Sequence, residues 1–223
     1  MSINYKKKDF MNKIFGSLLI IAAFLAGFLV YRVTQYQVPY TTTTCSKQAL
    51  DLKMAMRKLW EDHMIWTHAY IVSEIANLED LDAVTKRLLQ NQVDLGNAIK
   101  PIYGNDPGNK LAELLKEHIL LASEVVKAAK VNDKEKLDAT NKKWYQNADD
   151  IAAFLSSANP NWPQEVLKDM LHKHLDYVAG QAVSRLGKKW QEDINFYDTN
   201  HNHMLMLSDA LSDGIIKQFP TKF

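Results

Sequence analysis

Three segments of the chain, LWEDHM (59–64), LLKEHI (114–119) and MLHKHL (170–175), share one apolar-rich pattern around a histidine. His63, His118 and His174 stand 55 and then 56 residues apart. An interval of that size accommodates two helices and a turn, so the recurrence predicts helical hairpins that bury their apolar faces against one another. The partner helices follow at a step of 56, with Asn91, Asn147 and His203 in register. Asp94 and Asp150 lie three residues further on, where the third repeat carries Met206.

From about Ser46 onward the spacing of apolar residues is helical, and no alternating strand pattern competes with it. Breakers divide the region at Asn77 to Asp80, at YGNDPG (103–108), at VNDKE (131–135), at ANPNWP (158–163) and at Gly187. The expected fold is therefore all-α: an antiparallel bundle of about six helices over residues 47–223, made from three degenerate hairpins, about 50–104, 106–159 and 163–218. Residues equidistant from a hairpin turn lie at equal height. That rule sets His118 level with Asn147, His63 beside Asn91 and Gln92, and His174 level with His203.

Ahead of this region the run Ile14 to Tyr31 carries 18 residues without a charge, close to the ~20 that cross a bilayer core. Lys6, Lys7, Lys8 and Lys13 precede it, and only Arg32 follows closely. The positive-inside bias then predicts a cytoplasmic tail (1–13), a transmembrane helix (14–31), a stalk (32–46) and an extracytoplasmic domain at the cell membrane. A cleaved signal peptide would show an apolar core of only ~7 to 15 residues and an A-x-A-like site, and the latter is missing here. The single cysteine, Cys45, stands in the stalk and forms no internal disulfide or cysteine-based metal site. With 27 basic against 26 acidic residues and no basic stripe, nucleic acid is not an expected partner.

The histidines fall on the apolar stripes of their helices. His118 shares one with Leu111, Leu115 and Val125, and His174 with Leu167, Leu171 and Val178. Three hairpins around one core would gather His63, His118, His174, His203, Asp94 and Asp150, supported by Asn91 and Asn147, into one polar layer. Such a set suits a transition metal such as zinc, iron, manganese or copper. It equally suits a hydrogen-bonded layer that fixes helix register without any ligand. Trp60, Trp66, Gln92, Asn97 and Lys100 form a second candidate, the lining of a small-ligand pocket. His172 and His201 fall off the stripes and read as solvated. No phosphate-binding glycine loop, nucleophile elbow or HExxH occurs, and no catalytic residue is assigned.

The segments LWEDHMIW, QNQVDLGNAIKPIYG, LLKEHI, ANPNW, MLHKHL and GIIKQFP together resemble an uncharacterised family of small bacterial membrane-anchored helical proteins, over nearly all of the chain after the stalk. Some proteins that resemble it carry labels such as glycosyltransferase or acetylglutamate kinase. The chain has neither a nucleotide-sugar-binding Rossmann pattern nor a kinase phosphate loop, so those activities are not carried over. The expected function is a membrane-anchored, non-enzymatic binding protein whose polar layer takes a metal or small ligand. The alternative is a cell-envelope interaction or scaffold module, with a protein partner or as a homo-oligomer, in which the layer is structural.

Overall fold

Ser46 opens the first helix, its hydroxyl accepting the Ala49 N–H at 3.0 Å. The computed structural model describes residues 46–223, so the apolar run 14–31 and the stalk up to Cys45 lie outside the described residues. Six helices follow in chain order: α1 Lys47–Ala76, α2 Leu81–Tyr103, α3 Asn105–Lys130, α4 Lys134–Ala158, α5 Gln164–Leu186 and α6 Trp190–Gln218. Among the described residues there is no strand, and no helix is long and apolar enough to cross a membrane.

Each helix packs on the next, and α6 packs back on α1, which closes a ring. In addition α1, α3 and α5, the first helices of the three hairpins, touch one another. They form the inner triangle, and α2, α4 and α6 sit between them on the outside. The core is aliphatic with large inserts: Trp144, Met64, Leu88, Leu95, Ile151, Leu175, Leu207 and Ile215 are fully buried.

The repeat is written most clearly in the turns. Among the described residues, Asn77, Asn132 and Lys188 are the three non-glycine residues with positive φ, at 54°, 57° and 57°. They stand 55 and 56 residues apart, the same intervals as the histidines. Each turn also carries the same helix-ending bond: Leu78 N–H to Ser73 O at 2.9 Å, Asp133 N–H to Ala128 O at 3.0 Å, and Lys189 N–H to Ser184 O at 2.9 Å. Such a six-to-one bond needs a left-handed residue just past the helix. In the third turn Gly187, the breaker expected from sequence, has φ −78°, and Lys188 takes the left-handed place.

Asparagine tolerates that conformation better than lysine, because its short side chain bonds locally. Replacing Lys188 by Gly should therefore raise stability by about 0.5–1 kcal/mol, the relieved strain exceeding the entropy glycine loses on folding. Thermal melts of Lys188→Gly against wild type check this, and an unchanged or lower midpoint would count against the assigned turn.

Candidate functional site

The layer is assembled by a bond that all three hairpins make. The carbonyl one turn before each repeat histidine accepts a hydrogen bond from the facing helix. Asn91 Nδ2 donates to Leu59 O at 3.0 Å, Asn147 Nδ2 donates to Leu114 O at 3.2 Å, and His203 Nε2 meets Met170 O at 2.7 Å. Since Asn147 spends its amide N–H on that carbonyl, its Oδ1 is left to accept, and His118 Nδ1–H donates to it at 2.8 Å. The Trp144 indole N–H then donates to His118 Nε2 at 3.1 Å. His118 is thereby a neutral imidazole of one tautomer with both nitrogens engaged.

His63 Nδ1 faces Gln92 Nε2 at 3.4 Å, and Gln92 also donates to Leu88 O and Asn91 Oδ1. His174 Nδ1 meets Asn200 Oδ1 at 2.8 Å. The rings converge: His174 lies 5.5 Å from His63 and 6.4 Å from His118 between centroids. Trp60 closes on His63 edge-on at 5.6 Å. All of these imidazoles are buried.

Burial therefore governs their protonation. It drives His63 down to about 3, with the nearby His118 adding to the shift and Gln92 opposing it. It drives His118 down to about 4 against the weaker support of Asn147. His174 lies well below its ordinary value for the same reason, reinforced by His63. These three rings are uncharged at neutral pH, and none of them is poised as a base near pH 7.

The carboxylates are not in it. Asp94 accepts from Gln90 Nε2 and Asp150 from Gln146 Nε2, each at 3.0 Å and each four residues along its own helix on the outer face. Asp94 also lies 3.8 Å from Arg87. A position three residues past Asn91 or Asn147 is turned about 60° around the helix, enough to carry a short side chain out of the interior. Among the described residues no group of three or more His, Cys, Asp or Glu side chains could hold a metal ion. The engaged nitrogens of His118 and the absent carboxylates do not fit the expected metal centre.

The second candidate also separates. Trp60 lines an enclosed, almost wholly apolar cavity of about 20 Å³ on the bundle axis, together with Leu95, Ile99, Leu115 and Leu171. A space of that size and polarity stays dry. Trp66 lies under Arg87, 5.3 Å from its guanidinium. Gln92 is buried in the layer, Asn97 is exposed, and the Lys100 stem covers Gly108. The structure thus places these five residues in different surroundings.

His172 and His201 stay outside the layer, as their position off the stripes implies: His172 pairs with Asp149 at 2.7 Å, and His201 lies 3.5 Å from Glu61. Asn200 and the Trp144 indole are the two members of the layer that sequence reasoning missed. The signal for Asn200 was its place one turn before His203 on the same face. Comparison with protein-family models, with curated proteins and with solved structures finds no match for this chain.

Proposed function

We propose that the chain is a single-pass, membrane-anchored module whose extracytoplasmic helical bundle works as a non-enzymatic scaffold in the cell envelope, with the His/Asn layer setting the register of the three hairpins. The observation that supports it is the bond from the facing helix to the carbonyls of Leu59, Leu114 and Met170, made once in each hairpin. A one-turn slip between paired helices would break these bonds and leave buried polar groups unmatched, at about 1–3 kcal/mol for each. Six helices with no polar layer would lack that discrimination. Anchoring rests on the uncharged run 14–31 and the lysines before it.

Topology and layer are tested on the same full-length chain. The sole cysteine, Cys45, follows the proposed span, so a membrane-impermeant maleimide should label it in intact spheroplasts without gain on lysis. Labelling that appears only after lysis would overturn the orientation. Purified chain equilibrated with zinc, iron, manganese or copper should remain metal-free with an unchanged melting curve. His118→Ala should cost roughly 1–3 kcal/mol, and His118→Gln should recover part of it. Stoichiometric metal that is lost in His118→Ala would replace the scaffold reading with the metal-binding one.

A further inference from the structure

The junctions between neighbouring hairpins use equivalent positions, and one of the three is left unfilled. Where the first hairpin meets the second, Tyr70 donates to Ser123 Oγ at 2.7 Å, and Glu74 pairs with Lys130 at 3.1 Å. Where the third meets the first, Tyr197 lies tilted against His68 with centroids 4.9 Å apart, beside the Arg185–Asp193 pair of the third hairpin at 2.8 Å. At the junction of the second with the third, the repeat places smaller residues. Val125 stands 55 residues beyond Tyr70 and Ala179 stands 56 beyond Ser123, the same steps as the histidines, while Ala129 and Asn141 stand 56 before Arg185 and Tyr197.

The missing bulk leaves a cavity of about 220 Å³ between α3, α4 and α5. Its walls are valine, alanine and leucine, and Trp144 lines it too. The indole N–H of Trp144 is already committed to His118. Only Asp138 and Asn141 bring polar side chains to the lining. Neither side chain has a hydrogen-bond or ion-pair partner among the described residues.

We propose that this groove is a binding site for a small primary amine bearing one aromatic ring. Its volume lies below the ~300–1,000 Å³ typical of sites for drug-sized ligands, which limits the occupant to about one ring and a short chain. The apolar walls and the Trp144 ring take the aromatic body. The one charge in the lining is the Asp138 carboxylate, which selects an ammonium over an anion, and the Asn141 carbonyl accepts a second N–H. A carboxylic acid of the same shape would meet Asp138 as a like charge. The inference does not depend on what the histidine layer does.

The probe is 2-(4-fluorophenyl)ethylamine, followed by fluorine NMR on the full chain, with 2-(4-fluorophenyl)ethanol as the uncharged control. The amine signal should broaden saturably with a dissociation constant below about 1 mM, and the alcohol should bind at least about tenfold more weakly. Asp138→Asn, an exposed substitution, should erase that difference. Val125→Tyr together with Ala179→Ser copies the filled junction and should abolish binding; Ala182→Leu, a smaller filling, serves if the pair does not fold. Absence of saturable binding up to about 10 mM, equal binding of amine and alcohol, or binding that survives the filling substitution would each overturn the proposal.

Discussion

Acidification should unfold this bundle well above the pH at which its carboxylates titrate. His63, His118 and His174 are neutral in the fold, with protonation pushed below 6.5 to about 3, to about 4 and well below. In the unfolded chain the same rings bind protons below about pH 6.5. The unfolded state therefore binds more protons in that window, so stability falls as pH falls, beginning near 6.5 and continuing to about 4. Each ring contributes about 1.4 kcal/mol per pH unit, so three together remove on the order of 6 kcal/mol by pH 5. That is comparable with the whole stability of an ordinary domain, about 5–15 kcal/mol. His68, half-buried, shifts in the same direction and adds to the trend. Urea midpoints between pH 7.5 and 5 measure the slope. A flat profile would remove the buried neutral cluster, and His63→Gln should flatten the slope by about a third if the three act alike.

Gly96→Ala should destabilise the bundle by forcing two helix backbones apart. A Cβ there would come 2.4 Å from the Gly108 carbonyl oxygen and 2.8 Å from the Ala112 side chain. Gly108 is reciprocally close, since its own Cβ would fall 2.7 Å from the Gly96 oxygen. Helices α2 and α3 are joined through Gly104 alone, so their backbones approach closely just beyond the connection and cannot yield as a flexible side chain would. Forced separation should cost about 1–3 kcal/mol, partly offset by the better helix propensity of alanine, about 1 kcal/mol. Gly187→Ala is the control: its Cβ would come no nearer than 3.4 Å to any neighbour. Equal melting temperatures for the two variants would refute the close contact.

The heights of the layer were legible because geometry alone determines them. Equal distance from the turn set His118 opposite Asn147, and the two meet at 2.8 Å. The same rule set His174 opposite His203, yet the hydrogen bond runs to Asn200, one turn earlier. His203 is longer than the asparagines it replaces and reaches the Met170 carbonyl itself, which frees the position before it to take the asparagine role. Equidistance gives a level along the axis; reach and rotation around the helix decide the partner. Rotation is also why Asp94 and Asp150, correctly aligned with each other, fall on the outer face with Gln90 and Gln146. The open junction beside Trp144 was not legible at all, because small residues signal a void only when the neighbours that should have filled it are known.

Ring closure gives the domain a freedom that its linear order conceals. Lys53 pairs with Asp213 and Arg57 with Asp209, so four residues forward on α1 is four residues back on α6. Extending that register brings Ser46 level with about residue 220. The two ends of the bundle thus meet at one pole, opposite the three left-handed turns. A circularly permuted chain, with these ends linked and new termini cut at the Gly104 or Pro160 connection, would start on a different hairpin and still close the same six-membered ring.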